Sequence, residues 1–131
     1  HGKITEWEKK SGQAVAIASK ETGCPINTHV TAGTCGPEQA RFLVDQGVDP
    51  AKIAIGHMQR NWDPWVHEQI CKLGCYVELD GTNRNKYVPD NTRVSLVKTR
   101  GEKGYGKQIL WGTGAGKASY QKVYGSVSGI D

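Results

Sequence analysis

No apolar run in this chain approaches the length of a membrane span, and no basic-then-apolar leader opens it. A membrane role is therefore not expected. Lysine clusters with interleaved aromatics are missing too. The 17 basic and 13 acidic residues are scattered, and the resulting net charge of +4 reads as a solvated surface, which argues against nucleic acid as a partner. The four cysteines, Cys24, Cys35, Cys71 and Cys75, form neither a tight disulfide framework nor partnered pairs at zinc-knuckle spacing. They read as reduced, mostly buried thiols of a cytoplasmic protein.

What is present is a repeating grammar. The 131 residues fit one domain. A helix is expected to open at Thr5, with Glu6 and Glu8 in its first turn, and to stop at Gly23 in a left-handed cap. A strand ending at His29 follows, then a helix with Pro37 in its first turn that ends at Gly47. The strand Ile53–His57 leads to Asp63-Pro64, an N-cap and first-turn proline, and a helix whose apolar stripe is Val66, Ile70 and Leu73. Tyr76–Leu79 is a third strand, Asn91 is expected to cap the next helix, and Gln108–Trp111 is a fourth strand. Strand–helix alternation predicts an α/β fold with a parallel sheet. Two architectures satisfy it, an open doubly wound sheet and part of an eight-stranded barrel. The first residue is His1, and a full-strength helix follows it at once, which favours a piece of a barrel.

His29 and His57 carry the functional signal. Each ends a short β-branched run and precedes a loop and a helix. Parallel barrels gather their ligands where strands meet the following loops. Two imidazoles brought to that rim by consecutive strands suit zinc or a similar divalent ion. His67 sits within a helix beside Glu68 and is expected to be exposed. The run Gly112–Lys117 superficially suggests a phosphate loop, but Trp111 and Ala118 stand where that motif needs glycine and a hydroxyl residue.

Three segments are specific enough to resemble a known family. Glu21–His29, Gly47–Met58, and Tyr76–Gly81 with Lys86–Asp90 are similar to the fifth, sixth and seventh strands of the phosphotriesterase family, in the amidohydrolase superfamily. The likeness is closest to the phosphotriesterase-homology branch and runs from Gly2 to about Tyr124. It implies a partial (β/α)8 TIM barrel, roughly its last four βα units. It also implies a metal-dependent hydrolase in which a metal-bound hydroxide attacks a phosphoester, lactone or carboxylic ester. By the same resemblance, His29 and His57 match two ligands of one divalent ion, commonly zinc. Arg84, Lys86 and Tyr87 fall in the loop that shapes the small-molecule substrate pocket. Asp80 is either support for a histidine or a strand-end cap.

The sequence also departs from the family. The first-strand His-X-His and the bridging lysine or glutamate belong upstream of Gly2. Gly114 stands where the family has a metal-binding, proton-accepting aspartate, so no catalytic residue is assigned. Gln59 replaces an acidic residue that often follows the sixth-strand histidine. A catalytically inactive half-barrel serving as a binding or assembly module is the competing reading. Open sheet edges in such a half-barrel would favour a homodimer.

Overall fold

The computed structural model describes residues 2–81, 88–112 and 121–125. Helix α1 (Glu6–Thr22) opens on Thr5, whose hydroxyl accepts from the Glu8 N–H while the Glu8 carboxylate accepts from the Thr5 N–H. This reciprocal box satisfies two donors that the first turn would otherwise strand. The helix ends at Gly23 in the left-handed conformation, as its sequence predicts. Strand β1 (Ile26–His29), α2 (Gly36–Asp45), β2 (Ile53–Gly56), α3 (Pro64–Lys72), β3 (Tyr76–Leu79), α4 (Asp90–Glu102) and β4 (Ile109–Trp111) follow in turn. Helix α4 starts one residue before Asn91, with Pro89 at the cap position, and Asn91 instead accepts from the Thr92 N–H.

The four strands are all parallel and lie in the order β1-β2-β3-β4. That sequential order decides between the two architectures. A doubly wound sheet reverses its strand order and covers both faces. Here, right-handed crossovers that never reverse lay every helix on one face, as in a barrel wall. The side chains of Ile26, Ile53, Ile55, Val77 and Leu79 pack under the helices with Ala40, Leu43, Ile70 and Cys71. Alternation along each strand sends Asn27, His29, Ala54, Glu78 and Leu110 to the opposite, concave face.

Two expectations are corrected at α3 and the cysteines. His67 is fully buried, because the inner stripe runs through His67, Ile70 and Cys71, one position round from the one predicted. Its Nε2 lies 2.8 Å from the Asn61 carbonyl oxygen, pinning the start of α3 to the preceding turn. All four cysteines are free, but only Cys71 and Cys75 are buried, and Cys24 is exposed just beyond the α1 cap. Burial pushes the Cys71 and Cys75 thiols up to about 11, so both are inert at neutral pH. Among the described residues, no helix is long and apolar enough to cross a membrane.

Burial, reinforced by the Arg100 charge, pulls the His67 pKa down from 6.5 to about 4. The folded state therefore resists taking up a proton that the unfolded chain accepts. Stability is full above pH 6.5 and falls as the pH drops towards 4, by about 2 kcal/mol at pH 5 from this residue alone. Urea unfolding at pH 7 and pH 5 should show that loss in the wild type, and a flatter dependence in His67→Gln.

Candidate metal centre at the strand ends

The site begins with register. β1 and β2 pair so that His29 stands opposite Gly56, which puts His57, one residue past the end of β2, beside His29. His57 adopts φ 61°, a left-handed conformation that costs a non-glycine residue about 1 kcal/mol. That bend leads directly into the tight turn Met58–Arg60. The two imidazole rings meet edge to face, with centroids 4.5 Å apart and planes at 79°.

Asp80, one residue beyond β3, supplies the third component. Its Oδ1 lies 2.7 Å from Nδ1 of His57. A carboxylate only accepts, so Nδ1 carries the hydrogen and Nε2 is left with its lone pair for a ligand. This is the arrangement by which an outlying carboxylate orients a metal-binding imidazole. Asp80 is itself fixed, because its N–H donates to the side-chain oxygen of Gln59 at 3.2 Å. The Gln59 amide oxygen supplies the acceptor for this bond, as a carboxylate at the same position also would.

A second layer lies below the rim on the concave face. The Asn27 side-chain NH₂ donates to Glu78 at 2.8 Å, bridging β1 to β3 across Gly56. A Cβ at Gly56 would sit 2.4 Å from the Thr28 carbonyl oxygen and 3.1 Å from both Asn27 Oδ1 and Glu78 Oε2. Glycine is thus required where the bridge crosses. A cleft of about 200 Å³ at the rim is lined by His29, His57, Gln59, Arg60, Asp80 and Arg93, among others. Arg93 is buried on the first turns of α4 and pairs with Asp90.

His29 and His57, the candidate ligands named from the sequence, come together here with Asp80, which the sequence left as either support for a histidine or a strand-end cap. The Asn27–Glu78 bridge was not anticipated, although Glu78 lies two residues before Asp80 and so shares its face. Nor were Arg60 and Arg93. Arg84, Lys86, Tyr87 and Gly114 lie outside the described residues. Among the described residues, no group of three or more His, Cys, Asp or Glu side chains is arranged to hold a metal ion. The two imidazoles alone fall short of a zinc site, which normally takes at least three protein ligands.

The phosphotriesterase family model aligns with residues 1–127. The chain belongs to the phosphotriesterase family. It is 36% identical over 130 residues to a phospho-furanose lactonase of Mycoplasmopsis synoviae, covering 98% of this chain and 37% of that protein. It is 32% identical to the phosphotriesterase homology protein of Escherichia coli, covering 95% of this chain and 42% of that one. The chain thus spans well under half the length of these relatives. Its backbone superposes on a crystal structure of a Listeria monocytogenes lactonase with a TM-score of 0.89 at 36% identity, over 95% of this chain and 38% of that one. The E. coli phosphotriesterase homology protein, crystallised with phosphate in its active site, superposes with a TM-score of 0.91 at 30% identity, over 98% and 44% of the two chains. The four-stranded sheet is accordingly part of a TIM barrel.

Substituting Gly56→Ala should cost about 1–3 kcal/mol, because the added methyl meets backbone rather than a movable side chain. Chemical denaturation measures this, and a variant as stable as wild type would contradict the close approach.

Proposed function

We propose that this chain supplies the last four βα units of a metal-dependent hydrolase acting on ester-type bonds. The observation that carries this reading is the His29–His57 pair, 4.5 Å between ring centres, with Asp80 holding one of the two rings at the mouth of a phosphotriesterase-family barrel wall. A divalent ion, when bound, supplies Lewis acidity that polarises the substrate oxygen and lowers the pKa of water. His29 and His57 would hold that ion. Asp80 fixes the tautomer and tilt of His57, and the Asn27–Glu78 bridge holds β1 and β3 at a constant spacing beneath it.

The substrate class we favour is a lactone or ester bearing a phosphate. Arg60 and Arg93 border the cleft, and Arg84, Lys86 and Tyr87 follow β3 in the sequence. Guanidinium groups recognise phosphate oxygens in paired geometry. Relatives named as a phospho-furanose lactonase and as an aryldialkylphosphatase bracket this chemistry. One residue favours a second reading. With Gly114 at the position of the family aspartate, that position offers no side chain to accept a proton, and the barrel would bind without turning over.

A chimera separates the two readings. Replacing the matching segment of the M. synoviae lactonase with this chain should give at most trace lactone hydrolysis. Gly114→Asp in that chimera should then raise kcat at least about 100-fold, the scale expected for a general base. High turnover with Gly114 intact would contradict the role assigned to that position. No turnover after the Gly114→Asp substitution, in a folded and zinc-loaded chimera, would favour the binding module.

A further inference from the structure

We propose that the seam between α3 and α4 encloses a small inorganic anion, seated on the unbonded edge of the Arg100 guanidinium. Arg100 lies near the end of α4, is 1% exposed, and stands close enough to His67 and Cys71 of α3 for its charge to act on both. Its Nη1 donates to the Leu96 carbonyl one turn back, and its Nε and Nη2 are buried without a hydrogen-bond partner. Those two N–H groups lie side by side on one edge of a planar fork. Arginine takes anions through that edge, by two parallel hydrogen bonds.

Charge decides what sits there. Burial pulls Arg100 down only to about 10, so the guanidinium is cationic at neutral pH. A buried charge left unpaired is strongly destabilising. Among the described residues none supplies the counter-charge. Glu68 of α3 is engaged by Lys72 and Lys103. Asp90 pairs with Arg93 at the other end of α4, and Glu102 is exposed. His67 is neutral, and the Cys71 thiol keeps its proton. The Gln108 side-chain NH₂ is spent on the carbonyls of Cys71 and Cys75.

Both helices of the seam and the strands beneath them are described, so this burial is made by the chain's own residues. At 1% exposure, no outside group reaches Arg100 while α3 and α4 are packed. The occupant is therefore an ion compact enough to be enclosed as the helices dock, which chloride is and a phosphate ester is not. Water is the competing occupant. His67 Nε2 gives its hydrogen to the Asn61 carbonyl oxygen, so its buried, unpartnered Nδ1 is an acceptor that one water would join to Arg100. Water satisfies the hydrogen bonds and leaves the charge uncompensated, which favours the anion. The end of α4 leads into the start of β4, at the opposite end of the strands from His29 and His57. Occupancy thus bears on the stability of the helix layer and is independent of hydrolysis.

Thermal unfolding of the chain refolded in gluconate, with chloride then replacing gluconate at fixed ionic strength, tests this. The wild-type midpoint should rise with chloride and level off, by about 4 °C or more at saturation. Arg100→Met keeps the bulk, removes the charge, and should unfold at one temperature in both salts. A general salt effect would move both proteins alike. The ¹H–¹⁵N resonance of the Arg100 Nε–H group gives a readout that needs no variant, and it should shift saturably with added chloride. A wild-type midpoint indifferent to chloride, or an Arg100 Nε–H that does not move, would overturn the proposal and leave water as the occupant. A chloride dependence that persists in Arg100→Met would overturn it as well.

Discussion

The structure depends on the parallel pairing of β1 with β2 in a single register. A slip of one residue would send His29 and Asn27 under the helices and turn Ile26 and Thr28 outward. The register is held by burial of Ile26, Ile53 and Ile55 on one face and by the Asn27–Glu78 hydrogen bond across Gly56 on the other. Fully burying one such aliphatic side chain contributes about 1.5–3 kcal/mol, and the neutral-to-charged hydrogen bond contributes about 1.5–3 kcal/mol. Hydrophobic burial therefore dominates the pairing, and the polar bridge fixes its alignment.

From that register the chemistry follows in short steps. His57 comes to His29 because the chain bends sharply one residue past Gly56, in a left-handed conformation that histidine tolerates better than most residues. Strain of this kind persists only where the surroundings enforce it, and here the buried side chains of Met58 and Gln59 anchor the turn that follows. Gln59 in turn holds the backbone of Asp80, and Asp80 holds His57. The loop is closed: strand, turn, neighbouring strand end, and back to the imidazole.

Much of this was legible in the sequence, for identifiable reasons. Thr5, Gly23, Asp63-Pro64 and Gly74 mark helix ends through local hydrogen bonding and backbone sterics, so the element boundaries could be read directly. The histidines were visible because each closes a β-branched run. What stayed hidden depends on contacts between distant residues. His67 looked exposed beside Glu68, but the helical phase of α3 is set by the surface it packs on, which no local pattern encodes. Glu78 and Asn27 lie 51 residues apart, and nothing in either segment announces the other. The choice between an open sheet and a barrel wall likewise turned on strand order, which alternation of elements leaves undetermined.

Joint action of His29 and His57 as ligands is the central claim, and ¹⁵N-imidazole NMR during zinc titration tests it most directly. The His57 Nδ1 hydrogen should remain in place on Asp80 while the His57 Nε2 resonance and one ring nitrogen of His29 shift together with added zinc. His67, buried away from the rim, should stay unmoved. Affinity should be modest, since two imidazoles leave the ion short of its usual ligands. Imidazole resonances of His29 and His57 that ignore zinc, or zinc uptake unaltered in the His29→Ala/His57→Ala double variant, would contradict the central claim.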